Sequence, residues 1–143
     1  MDAQIDYQQL LMAIGDGVVV ADAEGKIVFW NPGAERIFGF TGSDAIGQTL
    51  DLIVPERQRH RHWEGFDKTM QTGETRYGND LLRVPALHKE GHPLSIAFTV
   101  AMLHAADGKV SAIVAIVRDE TKRWDEEQAL RGRVKELEAK SER

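Results

Sequence analysis

The sequence predicts an α+β fold, a five-stranded antiparallel sheet with short helices on one face and a further helix on each flank. Three observations lead there. Five runs rich in β-branched and apolar residues occupy positions 18–22, 26–30, 81–88, 94–104 and 110–118. Short links ending in glycine (Glu24-Gly25, Glu90-Gly91 and Asp107-Gly108) each separate two of these runs, a hairpin signature that favours antiparallel neighbours. Between the second and third runs the strand pattern stops and helix signals take over.

Taken in order, residues 1–14 form an amphipathic helical segment with Ile5, Leu10, Leu11 and Ile14 near helical spacing, broken by Gly15 and Gly17. The first two strands follow. Asn31-Pro32 then starts a helix: Asn accepts from a free backbone N–H and Pro suits the first helical position, with Gly39 as the stop. A second short helix begins at Ser43-Asp44 and ends at Gly47. A longer one runs over residues 57–71 and stops at Thr72-Gly73. The clearest strand spans residues 94–102, where large apolar side chains alternate with small or polar ones, so one face is expected to be buried and the other lightly covered. Residues 15–119 make the domain. Residues 120–143 turn almost wholly to Glu, Lys, Arg, Gln and Ala, a helix-forming tail.

The bulk composition excludes several classes of function. A chain of 143 residues, 42% hydrophobic and 29% charged, suits one globular core. No apolar run reaches the roughly 18–20 residues that span a bilayer, and no basic region precedes an apolar stretch at the N-terminus, so a cytoplasmic location is expected. The absence of cysteine removes disulfides, thiolate nucleophiles, sulfur-ligated zinc and iron–sulfur clusters. A net charge of −5 offers no electrostatic attraction to nucleic acid. No phosphate loop, nucleophile elbow or acid pair is evident, so the expectation is not an enzyme.

From Gly17 through the run ending Trp30-Asn31-Pro32-Gly33-Ala34-Glu35-Arg36-Ile37-Phe38-Gly39, the chain resembles the opening of a PAS domain. Residues 42–47 resemble that family's next element, and residues 112–121, closing on Asp119-Glu120-Thr121, resemble its last strand and its exit into a signalling helix. The resemblance covers roughly residues 8–121. It implies a ligand-sensing or dimerising module of a larger signalling protein, and one fold serving many ligands.

A finer resemblance concerns residues 55–66 followed by Thr72-Gly73-Glu74, which look like the long helix of the haem-binding oxygen-sensor PAS proteins. There a histidine supplies the proximal iron ligand, and counting back from Thr72 puts His62 at that position. Periodicity by itself does not choose between His62 and His60. Trp63, Phe66 and Met70 share one helical face, with His62 at its edge. The plainer reading makes both histidines part of a solvated basic helix start with Arg57, Arg59 and Arg61. Opposite the helix, the resemblance implies a pocket wall of Leu82, Phe98, Val100 and Ile116; an arginine expected on that wall falls on Leu82, and Arg83 would face away. Ordinary core packing is the plainer reading of these residues. Trp30 and Trp63 offer faces for a flat ligand such as flavin or, more simply, packing. His88, His92 and His104 flank hairpin turns and are expected to be exposed.

In the tail, Leu130, Val134 and Leu137 repeat at four and three, a short seam among charged neighbours. The sequence-level expectation is therefore a sensory domain binding a small molecule, haem b before flavin. It forms a homodimer through Leu10, Leu11, Ile14, Leu130, Val134 and Leu137, and signals to an effector beyond this sequence. The alternative is a cofactor-free interaction module.

Overall fold

A computed structural model describes residues 4–75 and 80–141. The elements run α1 (Tyr7–Ala13), β1 (Gly17–Asp22), β2 (Ile27–Trp30), α2 (Pro32–Phe38), α3 (Gly42–Ala45), α4 (Arg59–Thr72), β3 (Leu82–Leu87), β4 (Pro93–His104), β5 (Val110–Asp119) and α5 (Thr121–Ser141), with 3₁₀ turns at Leu50–Leu52 and Glu56–Gln58. The five strands form one antiparallel sheet in the order β2-β1-β5-β4-β3. The fold expected from the sequence is thus present, and its hairpins sit at the three glycine links. The pairing that closes the sheet joins β1 to β5, strands about a hundred residues apart, with Val19 opposite Ala115.

Two helices start later than their sequence patterns indicate. The first begins at Tyr7, because the Asp6 side chain accepts from the Gln9 N–H at 3.1 Å and so caps it there; residues 1–3 lie outside the described residues. The long helix begins at Arg59, the turn ahead of it being 3₁₀, and ends at Gly73 in the left-handed conformation.

Opposed residues on antiparallel strands point to one side of the sheet. The register therefore places Val19, Ala21, Leu82, Val84, Ala86, Leu94, Ile96, Phe98, Val100, Met102, Ala115 and Val117 on a common face. Helices α2 and α3 pack on it, and Phe38, Ala34, Ala45, Trp30 and Ile27 complete the core with Val19, Leu94, Ile96 and Val117. Coverage is uneven. Leu94 and Ile96 are buried, whereas Phe98, Val100 and Met102 are only half-buried, so the fully buried face expected for β4 is buried along half its length. The other face is also less uniform than expected: Ala97 is buried there, while Thr99, Ala101 and Leu103 are exposed.

Candidate functional site

Helix α4 carries His60, His62, Trp63, Phe66 and Met70. This helix runs along the end of the sheet that carries the β1–β2 and β4–β5 turns. Near its start, the Trp63 ring lies over Gly25 of the first turn, where an added Cβ would overlap the ring. At its finish, Met70, Gln71, Thr72 and Gly73 border a cleft of about 400 Å³ with Gly108, Lys109 and Val110 of the second.

The residues of α4 sort sharply by environment. Phe66 is buried, Trp63 and Met70 are half-buried, and Trp63 and Phe66 meet edge to face with centroids 5.3 Å apart. His62 is half-buried beside them, 4.8 Å from the Trp63 ring and 6.1 Å from Phe66 by centroid. Its Nδ1 is buried without a hydrogen-bond partner among the described residues. Desolvation lowers the His62 pKa below its ordinary value, and the nearby Asp51 carboxylate partly opposes that shift, so burial favours the neutral ring. His60 differs entirely: it is exposed, with Nε2 2.9 Å from Glu64. The two histidines, indistinguishable by periodicity, thus occupy opposite environments.

A polar clamp on Asp51 fixes this end of α4. The Trp63 Nε1–H donates to Asp51 Oδ1 at 2.7 Å, and Arg59 donates to the Asp51 carbonyl at 3.3 Å and the Val54 carbonyl at 3.1 Å. Arg59 is therefore bound into the fold, while Arg57 and Arg61 are exposed as the plainer reading of the basic helix start requires. Asp51 carried no signal in the sequence beyond being one carboxylate among many.

Of the expected wall, Leu82, Phe98 and Val100 share the inner face, Leu82 directly opposite Phe98. Arg83 opposes Ala97 on the outer face and is exposed, as strict alternation requires. Ile116 corrects the expected set: it opposes Val18 and Thr99, so it points to the outer face, and its neighbours Ala115 and Val117 take the inner one. Trp30 is no ligand platform; it is buried, packs on Phe38 at 5.3 Å and donates from Nε1 to the Phe40 carbonyl at 2.9 Å.

The residue most underestimated by its pattern is Asn31. It caps α2 as expected, its Oδ1 accepting from the Ala34 N–H at 2.9 Å, but the same oxygen accepts from the Val18 N–H at 2.7 Å. Its Nδ2 donates to the carbonyls of Leu11, Ile14 and Asp16, at 3.1, 3.3 and 3.1 Å. One fully buried amide thus ties α1 and its linker to β1 and α2.

The exit side is equally specific. Thr121 Oγ1 accepts from the Ser95 N–H at 3.0 Å, the Glu120 N–H donates to the Ser95 carbonyl at 2.8 Å, and the Thr121 N–H donates to Asp119 Oδ1 at 2.9 Å. Beyond this anchor α5 is exposed, including Leu130, Val134 and Leu137. Leu10 is exposed, and Leu11 and Ile14 are half-buried.

This sheet order, with short helices over one face and an anchored exit helix, defines a small α+β domain of a single antiparallel sheet. The chain belongs to the PAS family, whose PAS fold pattern matches residues 5–119. It is 37% identical over 116 residues to an uncharacterised protein of Azorhizobium caulinodans, covering 80% of this chain and 16% of that one. It is 27% identical over 103 residues to the oxygen sensor protein DosP of Escherichia coli, covering 72% of this chain and 13% of DosP. Among solved structures, the PAS domain of a Colwellia psychrerythraea protein superposes with a TM-score of 0.71 at 23% identity, covering 81% of this chain and 95% of that one. The chain spans about a sixth or less of the length of these curated relatives. Among the described residues, no helix is long and apolar enough to cross a membrane.

Proposed function

We propose that this chain is the sensory module of a larger signalling protein, and that it binds haem b between α4 and the half-covered inner face, with His62 as axial ligand. The observation that carries the reading is His62 itself. A neutral imidazole is the ligating form, and its buried ring nitrogen finds no partner among the described residues to offset its desolvation. The flanking residues fit a flat apolar guest: Trp63, Phe66 and Met70 on the helix, and Leu82, Phe98, Val100 and Met102 on the sheet, all apolar and most of them half-buried. Likeness to an oxygen sensor protein supports the same direction.

Haem iron, when bound, supplies a centre that takes a diatomic gas or changes oxidation state. The chain's own residues do the rest. His62 donates its nitrogen lone pair, Trp63 and Phe66 shield it from water, and Asp51 holds Trp63 in place. The module performs no catalysis; β5 carries any change at the inner face to the Asp119-Thr121-Ser95 anchor and so to α5. Self-association through α5 and α1, and an effector downstream, complete the proposal.

The test is the visible spectrum of the purified protein before and after haemin addition. A Soret band at one equivalent is expected for the native sequence and for His60→Ala, and its loss for His62→Ala. A flavin spectrum in the protein as isolated, or a Soret band unchanged in His62→Ala, would overturn the assignment. A colourless protein that fails to take up haemin favours the interaction-module reading.

A further inference from the structure

A second group of ligating side chains lies at the β3–β4 turn, far along the sheet from the α4 end. We propose that His88, Glu90 and His92 form a binding site for a divalent transition-metal ion of the zinc or nickel type. Each of the three offers one ligand atom, and these atoms lie within 4.8 Å of one another. The His88 and His92 rings are stacked, with centroids 4.2 Å apart and planes inclined by 16°. Glu90 Oε2 is 3.9 Å from His92 Nδ1.

The turn that carries them is held rigidly. The His88 N–H donates to the His92 carbonyl at 3.1 Å, and the Gly91 N–H donates to the His88 carbonyl at 2.8 Å. The Lys89 N–H donates to the Phe38 carbonyl at 2.9 Å, so the turn is fastened to the end of α2. His88 lies against Gly39, where a Cβ would come within 2.6 Å of its ring. One histidine is thus fixed by packing, while the His92 and Glu90 side chains are exposed, so no buried packing opposes their rotation. The Lys89 ammonium, which would repel a cation, is directed toward Asp44 at 3.7 Å.

The chemistry selects the metal. Two imidazoles and one carboxylate, without sulfur, match the borderline ions and not magnesium or calcium, which take oxygen shells. Tetrahedral zinc needs donors about 3.4 Å apart at bonds of about 2.1 Å. Closing from 4.8 Å is a movement that rotation of His92 and Glu90 supplies. His88 Nδ1 accepts from the Glu90 N–H at 3.1 Å, so ligation gives up that bond: through Nδ1 the metal takes the amide's place, and through Nε2 the ring proton moves to Nδ1. A water completes the fourth position, as three protein ligands leave it open.

The test uses the full chain carrying His62→Ala, so that the α4 histidine cannot contribute. Zinc chloride is titrated by calorimetry, with magnesium chloride as the control. One zinc equivalent is expected, weakened at least about tenfold by His92→Ala and less by Glu90→Gln, and unchanged by His60→Ala or His104→Ala. Amide resonance shifts confined to residues 38–40 and 86–94 are expected on zinc addition, a readout that needs no variant. Affinity unchanged in His92→Ala, shifts centred elsewhere, or the absence of saturable zinc binding would each overturn the proposal.

Discussion

Replacing Asn31 by Ala tests whether one side chain organises the N-terminal half of the domain. The substitution removes five hydrogen bonds. Two of the orphaned groups, the N–H of Val18 and of Ala34, are buried, and each is expected to cost about 1–3 kcal/mol when left without a partner. The three carbonyls are partly buried, so water replaces Nδ2 at smaller cost. The sum is about 4 kcal/mol, beyond the ordinary range for single substitutions. At a urea m-value of about 2 kcal/mol/M, the midpoint falls by roughly 2 M. Equilibrium urea unfolding of the native sequence and the variant, in parallel, reads this directly. Asn31→Asp separates the two halves of the network: it keeps the one oxygen that accepts from both Val18 and Ala34 but sets a second carboxylate oxygen against the carbonyls of Leu11, Ile14 and Asp16. A loss at least as large as for Ala is expected. A loss below about 1 kcal/mol in Asn31→Ala would refute the reasoning, and recovery of stability in Asn31→Asp would refute the part assigned to the three carbonyls.

Three further outcomes are expected. In the cofactor-free protein the folded-state pKa of His62 lies below the unfolded value near 6.5, so the unfolded chain binds a proton that the folded one refuses. Stability is therefore full above that value and lost as pH falls through it toward the folded pKa; unfolding midpoints at pH 7.5, 6.5 and 5.5 should show a slope that His62→Gln reduces and His60→Ala retains. Gly25→Ala should destabilise by about 2 kcal/mol or more, since the residue has φ +85° and its Cβ would strike the Trp63 ring; Trp63 fluorescence should report the displacement, and an unshifted emission with unchanged stability contradicts the contact. Removal of residues 125–143, which spares the Thr121–Ser95 anchor, should leave a cooperative thermal transition while lowering the sedimentation mass of any dimer, and an unaltered dimer mass would move the interface away from α5.

What sequence alone determined is local. Strand runs, glycine-ended hairpin links, the Asn31-Pro32 helix start and the polar tail are each written in a few consecutive residues, because turn chemistry, capping and alternation act over that range. The resemblance of residues 8–121 to PAS domains belongs with these, since it too rests on motifs in order along the chain. Tertiary structure decided the rest. Ile116 and Val117 are both apolar, and only the register of β5 against β1 and β4 decides that Val117 faces inward. His60 and His62 stand two apart on one helix, about 200° around its axis. Which of them is buried depends on where α4 lies against Gly25, Asp51 and the sheet. Asn31 announced a cap, but its four other hydrogen bonds reach Val18, Leu11, Ile14 and Asp16, brought together only when the N-terminal segment and β1 fold against it. Burial is a property of what arrives from elsewhere in the chain, and no local pattern encodes the arrival.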